Sequence, residues 1–172
     1  MIAVATLCMG ASGSTRPIDQ LGWLVGGVWS ADASGLGGGL ERIDTRYEWT
    51  PNGSFIRLTT NFVTKGVATP RYAGDLFYDP SADTLMMWYM DDRNSITRGP
   101  IKVDGSKFTL SFSGPGDVVG VSGSVQYVVE ILRTTADSYQ WTLFSDISNQ
   151  QKKVFGLLYH RPPNSVSSPS VP

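Results

Sequence analysis

From residue 40 onward the chain alternates apolar and polar positions in short runs separated by turn residues, the period-two pattern of half-buried strands. In LERIDTRYEWTPNGSFIRLTTNF, Ile43, Thr45, Tyr47 and Trp49 share one parity, and Arg42, Asp44, Arg46 and Glu48 share the other. The Asn52-Gly53 pair between the two runs is a strong signal for a two-residue type I′ hairpin. That loop sets Trp49 opposite Ile56, Tyr47 opposite Leu58, Thr45 opposite Thr60 and Ile43 opposite Phe62. The charged set then forms a solvated outer face.

Two further hairpins follow. In GPIKVDGSKFTLSF, Asp104-Gly105 as the loop pairs Ile101 with Phe108 and Gly99 with Leu110 inside, and brings Lys102 against Lys107 outside. In YAGDLFYDPSADTLMMWYMDD, a loop at residues 80–83 pairs Phe77 with Met86 and Asp75 with Trp88, and a slip by one residue would reverse every face. SVQYVVEILRT, YQWTLFSD and KKVFGLLYHR continue the pattern through TADS and SNQQ turns. Before the strands, STRPIDQLGWLVGG reads as one short helix, started at Pro17 and ended at Gly26 or Gly27.

Counting from GVWSAD gives nine or ten strands joined almost throughout by short turns. The expected fold is all-β, an antiparallel up-and-down barrel with one short N-terminal helix. A sheet of that length removes its edges by closing, and eight or more strands leave room for one small molecule. Closure requires the first strand to bend beside the helix and the last strand, which explains the cost of two adjacent glycines, Gly26 and Gly27, in WLVGGVWSAD.

Composition narrows the chemistry. The 172 residues suit one domain, and a net charge of −1 offers no basic field for nucleic acid. One cysteine, Cys8, forms no internal disulfide, and His160 is the single histidine, so zinc sites rich in Cys and His are excluded. No apolar run is long enough to span a membrane as a helix. MIAVATLCMGASGS has the apolar core and small-residue end of a secretory signal without a basic start, so residues 1–16 are read as a signal remnant or flexible N-terminus. The chain is then exported to the periplasm or outside the cell, and otherwise cytoplasmic. Residues 17–161 form the barrel domain, and the Pro/Ser-rich residues 162–172 a disordered tail.

Gly27-Val28-Trp29 on the first strand, with Arg161 near the end of the last, resembles the calycin superfamily of lipocalin-like and fatty-acid-binding barrels. LGWLVGGVWSAD, LFYDPSADTLMMWYMDD, GPIKVDG and the terminal YHR look like bacterial lipocalin-like domains of unknown function, neighbours of the nitrobindin-like barrels, over residues 21–161. The resemblance implies that Gly27, Trp29 and Arg161 close the barrel base, the arginine packing over the indole, and that the interior holds a pocket.

The expected function is binding of a small hydrophobic, amphipathic or aromatic molecule, without cofactor or metal. Trp29, Tyr47, Trp49, Trp88, Tyr127 and Trp141 are candidates for the lining, since aromatic faces stack on such ligands. An acid/base enzyme, a cyclase or isomerase, is the first alternative: Asp75 beside Trp88, or Glu130 among Val128, Val129, Ile131 and Leu132, would act with a nearby tyrosine in apolar surroundings that raise a carboxyl pKa. Nitrobindin-like relatives hold haem through a late-strand histidine, which nominates His160. Parity nevertheless turns His160 outward if Arg161 covers the base. A third alternative is an interaction module or homodimer built on Met86, Met87 and Met90. GLGGGL at residues 35–40 lacks the strand-turn-helix setting of a nucleotide loop and is read as a loop at the barrel mouth.

Overall fold

The computed structural model describes residues 15–147 and 150–161. The signal-like stretch with Cys8 and the Pro/Ser-rich tail lie outside the described residues. A 3-10 helix, Pro17–Leu24, precedes ten strands: β1 Val28–Asp32, β2 Leu40–Trp49, β3 Phe55–Thr64, β4 Val67–Asp79, β5 Thr84–Asp91, β6 Ile96–Asp104, β7 Lys107–Pro115, β8 Ser124–Thr135, β9 Ser138–Ile147 and β10 Gln150–His160. Each pairs antiparallel with the next, and β1 meets β10 through Ser30 and His160, which closes the barrel. The expected up-and-down barrel is the observed one.

The helix has a physical reason to be 3-10 rather than α. Its buried residues, Ile18, Leu21 and Leu24, recur every third position, which is one face at three residues per turn. Pro17 opens it, and the Asp19 carboxylate accepts from the Arg16 backbone N–H at 3.0 Å and from its guanidinium at 2.7 Å.

The β2–β3 register is as expected in all four pairs, Trp49–Ile56 through Ile43–Phe62. The turn differs. Gly53 N–H donates to the Thr50 carbonyl at 2.7 Å, with Pro51 and Asn52 between them, and Gly53 alone of that pair has a left-handed φ, +66°. Pro51 fixes its own φ for the second position of a type I turn, so the loop starts earlier and ends later around the same centre. Register depends on the centre and survives.

The β6–β7 hairpin corrects its expectation. Ile101 pairs with Leu110, Val103 with Phe108 and Lys102 with Thr109, while Asp104 pairs with Lys107. The loop is Gly105-Ser106, with Gly105 at φ +58° in the first central position, as a type II′ turn requires. This slide replaces two facing lysines with an opposite-charge pair. It moves partners by two residues, so Ile101, Phe108 and Leu110 remain buried. Gly99 sits where backbones crowd: a Cβ there would collide with the Ser111 carbonyl oxygen.

The β4–β5 pairs Phe77–Met86 and Asp75–Trp88 occur as expected. Their face follows from β3, because cross-strand partners share a side. Ile56 is buried and pairs with Leu76, which pairs with Met87, so Leu76 and Met87 face inward and Asp75 and Trp88 face out.

The 3-10 helix caps the end of the barrel where β1 starts and β10 finishes. The opposite end is a mouth framed by residues 33–39, 65–66, 92–95 and 116–123, and the glycine-rich segment lies in the first of these loops.

Candidate functional site: an aromatic cavity in the barrel

The floor is built on Trp29, which is fully buried and donates from Nε1 to the Leu24 carbonyl at 2.7 Å. The Arg161 guanidinium lies 4.4 Å from the Trp29 ring centroid. It also donates to the Val25 and Gly26 carbonyls at 3.1 Å each, to the Ala136 carbonyl at 3.2 Å and to Asp137 Oδ1 at 3.1 Å. Gly26 and Gly27 have φ of +99° and +69°, left-handed backbone that side chains resist, and this presents the Val25 and Gly26 carbonyls to the arginine. Trp23 and Tyr139 pack against Trp29 at ring separations of 6.1 and 4.8 Å.

Above this plug lies a cavity of about 480 Å³. At its upper level, rings on five strands touch in series: Phe62–Tyr72 at 5.8 Å, Tyr72–Tyr89 at 5.4 Å, Tyr89–Phe112 at 6.3 Å and Phe112–Tyr127 at 5.6 Å. Trp141 and Phe155 add a contact at 5.3 Å, and Leu58, Leu76, Met87, Leu110 and Val129 fill the aliphatic wall between.

The deep end is different. Tyr47, Tyr139, Tyr159, Thr45 and Thr60 all line the cavity there and are all buried. Thr45 and Thr60 share a hydrogen bond at 3.0 Å, and the Tyr47 hydroxyl interacts with that of Tyr139 and the Tyr159 hydroxyl with that of Thr45. Removal from water raises the Tyr47 phenol to about 12 and lifts Tyr139 and Tyr159 well above the ordinary phenol value. These groups stay protonated and neutral at physiological pH.

Charge is found at the mouth. Thr60 pairs with Tyr72 and Asn61 with Pro70, so Arg71 is the extra residue of a bulge. Bulges re-aim side chains, and here Arg71 and Tyr72, adjacent in sequence, both line the cavity. Arg71 forms an ion pair with Asp92 and lies 5.3 Å from the Phe62 ring centroid. Asp91 is tied to its own turn, accepting from Arg93 N–H at 2.9 Å and Ser95 N–H at 2.8 Å. Arg93 also lines this rim.

Of the residues nominated from sequence, Tyr47, Tyr127 and Trp141 line the cavity. Trp29 lies beneath the floor. Trp49 stands outside the cavity at the capped end, under Arg16 at 5.3 Å, because β2 ends there. Trp88 is on the outer face for the parity reason above. Asp75 is outside with it, 3.3 Å from Arg57, and Glu130 is outside beside Lys107 at 3.4 Å. Neither carboxylate reaches the interior. His160 is exposed on β10, opposite in face to Leu157 and Tyr159. Met87 faces the cavity while Met90 is outside and 41% exposed, so the methionine run divides between two surfaces.

Sequence reasoning missed Tyr72, Tyr89, Tyr139 and Tyr159. Tyr139 shares parity with the nominated Trp141, a signal that was there to use. Tyr72 shares parity with Leu76, and the expectation of an inward Asp75 on β4 turns that face out.

The fold and site define a closed antiparallel barrel with a plugged floor, an aromatic cavity and a charged mouth. No protein-family model matches the chain, and no curated protein matches it. Among the described residues, no helix is long and apolar enough to cross a membrane, and no group of three or more His, Cys, Asp or Glu is arranged to hold a metal ion.

Proposed function

We propose that this protein binds a small hydrophobic or amphipathic molecule inside the barrel. The observation that carries the reading is the cavity of about 480 Å³, walled by aromatic and aliphatic side chains and reached from a polar rim. That volume lies in the range of small-molecule sites, which are mostly apolar with a few placed polar groups. A bacterial lipocalin-like, calycin-type relationship belongs to the same proposal and is supported by the Gly-x-Trp of β1 lying under Arg161.

N-phenyl-1-naphthylamine, whose emission rises in apolar surroundings, tests it. The expected result is saturable enhancement with one site per chain and energy transfer from Trp141, and a loss of about tenfold or more in affinity in Leu110→Trp, which fills the wall. Non-saturable enhancement, or equal binding by a folded Leu110→Trp variant, overturns the reading.

A second reading, self-association, is favoured by the outer face of β3 to β6. Phe55, Phe77, Met86 and Pro100 are successive cross-strand neighbours there, with Trp88, Met90 and Ile96 close by. A second copy of the chain is the partner this reading takes.

A further inference from the structure

The deep hydroxyl cluster holds more protons than it has uses for. Tyr47, Tyr139, Tyr159, Thr45 and Thr60 carry five O–H donors, and the contacts among them, Thr45 with Thr60, Tyr47 with Tyr139 and Tyr159 with Thr45, use at most three. Among the described residues no further acceptor is bonded to these hydroxyls, and every oxygen in the cluster that is fully enclosed already has a partner. At least two donors are therefore left at the inner end of a cavity walled mainly by aromatic and aliphatic side chains. A donor in such surroundings is costly until an acceptor meets it.

The sign of the missing acceptor also follows. Arg71, Asp91, Asp92 and Arg93, the charged residues that line the cavity, are all at the mouth, on the first residues of β4 and at the β5–β6 turn. An anion carried to the floor would be desolvated with no cation lining that end of the cavity, Arg161 lying beneath Trp29. An acceptor on a neutral molecule has no such cost.

We propose that the ligand is a neutral, largely aromatic or alicyclic molecule with a carbonyl-type oxygen at its leading end, a ketone, quinone or lactone. The oxygen takes hydrogen bonds from the Tyr47 and Tyr159 end of the cluster, and the ring system lies against the aromatic wall. This rests on the ligand-binding reading above and specifies its chemistry. The raised phenol values support it, because the donors keep their protons at any physiological pH.

The test uses two probes of one shape, 9-fluorenone and fluorene, which differ by the carbonyl oxygen. Transfer out of water alone favours fluorene. Two hydrogen bonds to the carbonyl are expected to reverse this, so that fluorenone binds about five- to tenfold tighter. In Tyr47→Phe/Tyr159→Phe the preference should vanish while fluorene still binds; Lys102→Ala, on the outer face of β6, should leave the preference intact. The infrared carbonyl band of bound fluorenone needs no variant and should lie below its position in hydrocarbon solvent. Equal affinities in the wild type, an unshifted band, or a preference that persists in the folded double variant overturns the assignment. If fluorene binds but fluorenone shows no advantage, the cavity reading stands and this inference falls. If neither probe binds, both fall.

Discussion

Replacing Arg161 by alanine removes a side chain that ties the start of the β ribbon to its end. The loss can be worked from its contacts. The side chain is 12% exposed and its guanidinium lies 4.4 Å from the Trp29 ring centroid, a cation–π contact worth about 1–2 kcal/mol when desolvated. Its bonds to the Val25 and Gly26 carbonyls are partly buried and charge-assisted, at about 1.5 kcal/mol each net of solvation. The ion pair with Asp137 adds little, because that carboxylate is 43% exposed. Contacts sharing one group do not sum fully, so Arg161→Ala should cost about 3–5 kcal/mol and lower Tm by roughly 6–20 °C. Arg161→Lys keeps charge near the ring but cannot reach both carbonyls with a planar fork, and should recover about half. Asp137→Ala should cost under about 1 kcal/mol. Urea unfolding followed by tryptophan fluorescence and far-ultraviolet dichroism gives all three. An Arg161→Ala variant within about 0.5 kcal/mol of wild type would refute the claim that this side chain holds the seam.

Alkaline pH supplies another check. Tyr47 and Tyr89 are both raised by burial from the ordinary 10 to about 12, with Tyr139 and Tyr159 moved the same way. Below pH 10 folded and unfolded chains both keep these protons and stability is whole; from 10 towards 12 only the unfolded chain releases them. Stability should fall there by about 1.4 kcal/mol per pH unit for each such tyrosine, read from urea midpoints, and a flat profile would show the phenols to be wet. For self-association, light scattering after size exclusion should give a dimer mass for wild type and a monomer mass for Met90→Asp; a monomeric wild type at high concentration removes that reading.

Much of the barrel was legible because turn chemistry and alternation agreed. In β2–β3 the charged parity, the apolar parity and the turn centre at Asn52 and Gly53 each gave the same register, and the real turn type changed nothing that mattered. In β6–β7 two adjacent candidates, Asp104-Gly105 and Gly105-Ser106, keep the same face inside, so alternation could not choose between them. Cross-strand charge did. The face of Asp75 was a harder case, since LFYD and LMMWYM are apolar on both parities. It is settled through two neighbours, Ile56 to Leu76 to Met87, and that chain of pairings is a property of the sheet. One parity moved both the proposed acid and one proposed lining tryptophan to the outside.

The cavity's polarity gradient depends on a feature that alternation hides altogether. A regular strand cannot turn two consecutive residues inward, yet Arg71 and Tyr72 both line the interior. The bulge opposite Thr60 and Asn61 makes this possible: it keeps Tyr72 in the aromatic wall and turns Arg71 over the rim towards Asp92. A second irregularity, between Lys153 and Phe155 on β10, adds one residue there as well and leaves Phe155, beside Trp141, on the inner wall. Charge is thus admitted at the mouth without breaking the apolar sequence lower down. In the deep cluster Thr45 pairs with Thr60 and Tyr139 with Tyr159. From mouth to floor the cavity thus runs from ions through aromatic faces to neutral hydroxyls, the order required by the proposed ligand, whose acceptor oxygen leads and whose hydrocarbon follows.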